Sequence, residues 1–239
     1  MRDEILRHQL LLTRLVRTQA KTSQQYIKKA EKIIIKALEN QEFTGLADKV
    51  MAALGPLPRE SMRLAQELAQ YEAEFTSKLI KKNIGKEVEY SNKSLAQHIR
   101  NTKVAVALNK PKHTLEETYT VFRDTKARQL LRLVSDSRIM KEEVGVTLSK
   151  LSNLVSGLYA TQGISLATVA VTGSANIARS FIAKRAKMLV QWSIDLELNN
   201  CPDCEERDGE IYEPGEVDGD IPMHARCGCT LIPVEGDNE

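Results

Sequence analysis

The chain has 239 residues, of which 42% are hydrophobic, 28% charged and only 5% aromatic, a balance that favours helices over a β-sandwich and allows one large domain or two smaller ones. Residues 201–239 carry two basic side chains, Arg207 and Arg226, against 12 acidic ones, a net −10, which leaves 32 basic against 20 acidic, +12, on residues 1–200. A basic body with an acidic tail points to an anionic partner such as nucleic acid, or to Lys-rich helices kept soluble by their charge.

In chain order, Leu12, Leu15, Val16, Tyr26, Ile27, Ala30, Ile33, Ile34, Ala37 and Leu38 fall on one helical stripe, with a polar interruption at Gln19–Gln25. Thr44-Gly45 breaks it, a short helix runs to Leu54, and Gly55-Pro56-Leu57-Pro58 is a strong breaker. The spacing of Leu64, Leu68, Tyr71, Phe75 and Leu79 predicts a second long helix, ending near Asn83-Ile84-Gly85. A looser connection over 85–113 holds one helix, about Ser94 to Leu108, and Lys110-Pro111-Lys112. Helices are expected near 114–135, 139–161 and 165–190, with Gly163 as a stop between the last two. The segment Ser156–Ala178 is rich in Gly, Ala, Ser and Thr, which permits close helix packing. Glu116-Glu117 and Glu142-Glu143 lie at helix starts, where they suit the macrodipole. The expected fold is mainly α: an elongated body of long αα-hairpins over residues 1–195, then a small zinc-binding β-hairpin module with an acidic tail over 196–239.

All four cysteines occur within that module. Cys201-Pro202-Asp203-Cys204 is followed, after nineteen residues, by His224-Ala225-Arg226-Cys227-Gly228-Cys229. Two cysteines three apart fit a tight knuckle whose backbone N–H groups point at thiolates bound to one tetrahedral Zn²⁺. Five candidates compete for four places. An extended 227–229 puts both its cysteines on one face and gives an all-cysteine site; otherwise His224 joins three cysteines. The rival, two disulfides, needs an oxidising compartment. Nothing suggests one: Met1-Arg2-Asp3-Glu4 opens no secretory signal, and no apolar run approaches the ~18 residues of a membrane span. Asp208-Gly209 reads as a hairpin turn, with Glu210-Ile211-Tyr212 as the strand after it.

The zinc reads as structural. Catalytic sites keep a position open for water, whereas this cluster offers more ligands than are needed. Zinc deaminases place their His and Glu before Pro-Cys-x-x-Cys; here the cysteine pair comes first, and Arg226 stands where that Glu would be. His8, His98 and His113 are isolated and are expected at the surface or at helix ends. There is no phosphate-binding glycine loop and no Gly-x-Ser-x-Gly, so no catalytic residue is assigned.

From Cys201-Pro202-Asp203-Cys204 to His224-Ala225-Arg226-Cys227-Gly228-Cys229 the tail resembles the C-terminal module of the phage head morphogenesis (minor head protein) family. The resemblance extends over about residues 172–234, with Thr172, Asn176 and Arg179 on a helix, then Trp192 and Asp195. Ala225 stands in place of the family's Pro after the His, and Gly228 in place of its Arg between the last cysteines. A structural zinc site survives both changes; a partner contact made by that Arg does not. The resemblance implies a minor virion protein of a tailed bacteriophage, at the portal or capsid interior after assembly in the host cytoplasm; with no catalytic motif in the chain, no enzymatic activity is expected. It would act in head assembly or DNA delivery. Its partners would be the portal and other virion proteins. The surplus of +12 on the body adds packaged DNA as an expected partner, met without sequence readout by lysines such as Lys28, Lys29, Lys81, Lys82, Lys110 and Lys112. The alternative, a zinc-containing DNA-binding protein reading through the module, conflicts with the module's charge of −10.

Overall fold

A computed structural model of the chain describes residues 1–104, 112–194, 202–223 and 227–236. Helix α1 (Arg2–Asn40) runs through Gln19–Gln25 without a break, because Gln19 and Ser23 are buried positions on its inner face. At 1.5 Å per residue it is about 58 Å long. Gln41 ends it in the left-handed region (φ 54°), and α2 (Leu46–Leu54) follows. Pro58 lies in the first turn of α3 (Leu57–Ile84), where a missing N–H leaves no bond unmade; Gly85, at φ 77°, closes that helix by donating to Lys81 O.

Helix α4 (Asn92–Asn101) is capped by Ser91, whose side chain accepts from the Ser94 N–H. It is shorter than expected. The β-branched Thr102 and Val104 carry the chain into strand β1 (Lys103–Val104), which pairs with β2 (His113–Thr114). Residues 105–111, including Lys110 and Pro111, lie outside the described residues. Helix α5 (Leu115–Ile139) opens on a capping box: Thr114 Oγ1 accepts the Glu117 N–H, and the Glu117 carboxylate accepts the Thr114 N–H. Glu143 precedes α6 (Val144–Gly157), while Glu142 accepts from Ser137 and Lys150.

Gly163 does not stop a helix. Helices α6, α7 (Ile164–Thr168) and α8 (Ser174–Arg185) join end to end through π-helical turns at Leu158–Gly163 and Val169–Gly173. A glycine inside a helix costs only about 1 kcal/mol, and burial outweighs that here: every residue from Leu166 to Ala183 is buried. The segment Ile164–Arg185 has the length and apolarity of a membrane span, and its whole apolar window lies inside the fold.

Helices α3 and α8 form the most extensive helix contact. Both present small side chains, with Ala65, Ala69 and Ala73 meeting Ala178 and Ala183 in one cluster. Backbones approach closely only where side chains are small, so this alanine row faces inward. The larger row expected there flanks it; Leu79 is buried, but Tyr71 is 55% exposed.

That rotation of α3 places Glu72 in the core. Glu72 and Arg179 are both fully buried and paired, with Arg179 Nη2 and Nε 2.9 and 3.2 Å from Glu72 Oε2. Arg179 Nη1 also donates to Gln9 Oε1 at 3.1 Å and to Thr230 Oγ1. His8 is no surface residue: it is buried, its Nε2 2.5 Å from Glu72 Oε1 and its ring stacked on Phe75 at 4.0 Å. Burial alone would push the Glu72 carboxyl up. The Arg179 charge and the His8 hydrogen bond more than offset this and hold it below the ordinary carboxylate range.

The chain leaves the helix at Arg185, short of the expected 190, and enters β3 (Leu189–Ser193). β3 is the centre of an antiparallel sheet, with β4 (Ile211–Tyr212) on one side and β5 (Thr230–Val234) on the other. Asp208-Gly209 does form a turn, with Gly209 at φ 88° and the Asp208 carboxylate accepting the Ile194 N–H at 3.0 Å, but not the expected hairpin: it joins the short helix Pro202–Glu206 to β4, whose strand partner is β3 of the body. The expected boundary at 195 falls among residues 195–201, outside the described ones. On either side of it the core is continuous, with Ile177, Phe181 and Ile182 of α8 clustered with Trp192, Cys204, Cys229 and Leu231. The acidic tail is docked by charge as well. Asp218 lies 2.8 Å from His98 Nε2, and Lys112 pairs with Asp220. Gly219 is required beside them, since a Cβ there would stand 1.9 Å from Lys103 O.

Arg179→Met leaves Glu72 charged in the core and should lower unfolding stability by about 3–5 kcal/mol in urea titrations. Adding Glu72→Leu should recover most of the loss; an undiminished loss in the double variant would contradict the pairing. Because the Glu72 pKa is depressed, its stabilisation is complete above the ordinary carboxylate range and should be lost as pH falls through the lowered value.

Candidate metal centre

Three of the five candidate ligands fall within the described residues, and the fold brings all three together. Cys204 sits on the short helix α9 (Pro202–Glu206), directly after Cys201 in the sequence. Cys227 and Cys229 lie in the segment that leads into β5. Their three Sγ atoms are all within 4.8 Å of one another, the side chains are 1%, 4% and 0% exposed, and none of the three forms a disulfide. Cys201 and His224 lie outside the described residues, so the choice of fourth ligand stays between them.

The arrangement fits a metal. With bonds of about 2.3 Å to a tetrahedral ion, ligand sulfurs stand roughly 3.8 Å apart, the separation regime of this cluster. Thiolates are soft donors, which suits zinc and its neighbours and not magnesium or calcium. Without an ion the three thiols share hydrogen bonds and cannot ionise alike. Bonds from Cys204 and Cys229, with the backbone N–H groups of Cys229 and Met223, hold the Cys227 thiol far below its usual value. Bonding to Cys227 and Cys229, and burial, push Cys204 far up. Backbone N–H groups thus point at the Cys227 sulfur; the knuckle expected at Cys201 and Cys204 includes Cys201, which lies outside the described residues.

Asn176 of α8 fixes the height of β5 against the helices. Its Oδ1 accepts the Leu231 N–H at 2.7 Å and the Thr230 hydroxyl at 3.3 Å; its Nδ2 donates to Thr172 O at 2.9 Å and Cys229 O at 3.4 Å. One side chain therefore bonds the residue on either side of Thr230 as well as Thr230 itself. Arg179, one turn further along α8, reaches the same Thr230 hydroxyl. Glu72, His8 and Gln9 complete this support; Glu72 and Gln9 were not singled out in the sequence, and His8 was expected at the surface or a helix end. The signal was available for His8 and Gln9, which fall on the apolar stripe of α1; Glu72 lies beside the row expected to face inward on α3. Beneath the sheet Trp192 is fully buried, with the Arg207 guanidinium 5.2 Å over its ring.

Comparison of the chain with protein-family models, with curated proteins and with solved structures finds no match. The class defined by fold and site is therefore a mainly helical protein with a buried thiol cluster able to hold a metal ion.

Protein purified in reducing buffer should carry about one equivalent of metal per chain by elemental analysis, and Cys204→Ser should lose it. Metal-free protein with intact disulfides would overturn the site. Asn176→Ala should keep the metal stoichiometry but speed metal transfer to a chelator several-fold, because β5 loses its tie to α8.

Proposed function

We propose that the chain is a minor virion protein of a tailed bacteriophage, associated with the portal or capsid interior and acting in head assembly or DNA delivery. The bound ion in this reading is structural Zn²⁺. The carrying observation is the convergence of Cys204, Cys227 and Cys229, the described cysteines of the Cys-Pro-Asp-Cys and His-Ala-Arg-Cys-Gly-Cys elements that resemble the minor head protein module. Zinc suits such a cluster because it has no redox chemistry and takes four thiolate or imidazole ligands, here completed by Cys201 or His224.

Physical logic supports the same role. A tail this short and polar has too small a core of its own, so a metal and a shared core must supply its stability. Such a protein folds without disulfides in a reducing host and stays rigid once assembled. The polar side chains beside the cysteines, Asn176 and Arg179, hold β5 to α8, which supports a structural role for the site.

The test is co-expression with a portal protein of the same phage, followed by sedimentation of the assembled portal. The chain should sediment with the portal, and Cys204→Ser should reduce that several-fold. Full-length, metal-loaded chain that never sediments with portal or procapsid would contradict the reading.

A further inference from the structure

Six lysines named above as DNA contacts do not share one fate. Lys81, Lys82 and Lys112 are engaged with Glu87, Glu4 and Asp220, and Lys110 lies outside the described residues. Lys28 and Lys29 remain, and both belong to α1.

Between Ile5 and Lys36 the chain has eight Lys or Arg and one acidic residue, Glu31. All eight cations are exposed, and among the described residues none takes part in an ion pair. At about 100° per residue, Arg7, Arg14, Lys21, Lys28, Lys32 and Lys36 fall within roughly 80° of the helix circumference. Arg17 and Lys29 flank them on either side. The first four recur every seven residues, a rise of roughly 10.5 Å each, so the row barely winds around the helix. From Arg7 to Lys36 it extends for roughly 44 Å.

A merely solvated helix face mixes its charges, and α3 does so: Arg63 lies against Glu60 and Glu67, and Lys78 against Glu74. The α1 row has one sign only. We infer that this outward face of α1 is a duplex-DNA-binding surface that contacts phosphates without reading sequence. A straight row of cations on a rigid helix matches the uniform line charge of a duplex, and roughly 44 Å corresponds to about 13 base pairs at 3.4 Å each. A membrane surface fits less well. Interfacial helices insert bulky apolar side chains beside their cations, whereas the apolar stripe of α1 is buried in the protein; only Leu11 and Leu15 of its large apolar residues are exposed.

The inference rests on the reading of the body as a DNA contact, but not on the portal. The test is binding of the full, metal-loaded chain to unrelated duplexes of 20 base pairs across a salt series. Wild type should bind with no sequence preference and with affinity falling steeply as salt rises. Each phosphate contact removed lowers the slope of log affinity against log salt by about 0.9. The triple variant Arg14→Gln, Lys21→Gln, Lys28→Gln should therefore lose about 3 from that slope, with helicity and metal content unchanged. The charge-matched triple Lys86→Gln, Lys93→Gln, Lys187→Gln, on other elements, should lose less than 1. Equal losses from both triples, or no loss from the first, would overturn the α1 surface while leaving DNA contact by the body standing. No duplex binding by wild type even at low salt would remove both. Tighter binding to polyglutamate or to phosphatidylserine vesicles than to duplex would assign the row to an acidic protein or a membrane and overturn the proposal.

Discussion

The guanidinium of Arg179 stands where four elements meet, and the arrangement of the molecule depends on its being satisfied there. A fully buried cation is tolerable only with an anion and a full set of acceptors. Glu72 from α3, Gln9 from α1 and Thr230 from β5 supply these, and His8 occupies the second oxygen of Glu72. None of the other three elements can slide along α8 without stranding a charge. The small side chains of α3 and α8 make room for this pair by letting the two helices close around it.

The thiol cluster is coupled to that pair through one residue. Thr230 follows Cys229 directly, and its hydroxyl is shared by Arg179 and Asn176. A metal that orders Cys227 and Cys229 therefore also orders the acceptor that Arg179 uses. In the other direction, the charge pair presents β5 at the height where the cysteines meet Cys204. Helical body and sheet are in this sense a single folding problem, although their compositions differ sharply at Trp192.

The long helices were legible because their boundaries are set by local chemistry. Gly55-Pro56, Gly85 and the Thr114 capping box act within a few residues of themselves. The turn at Asp208-Gly209 and the convergence of cysteines 204, 227 and 229 were legible for the same reason, since spacing alone constrains them. What was hidden depends on distant partners. The inward face of α3 is chosen by the small residues of α8, so ranking residues by size picks Leu64 and Leu68 over Ala65 and Ala69. Gly163 looks like a stop until the burial around it is known. β5 contains Pro233, which argues against a central strand, and it is in fact an edge strand. His8 and Glu72 looked ordinary because each makes sense only when the other is in view.

A metal at the cysteines would be coupled to the helical core through Thr230. Hydrogen exchange measured with and without a chelator tests this coupling most directly. Removing the metal should lower protection in β5 and in α8 together, with the amides around Arg179 and Glu72 following. Loss of protection in β5 with α3 and α8 unchanged would show that the metal stabilises the tail alone, and would contradict this account.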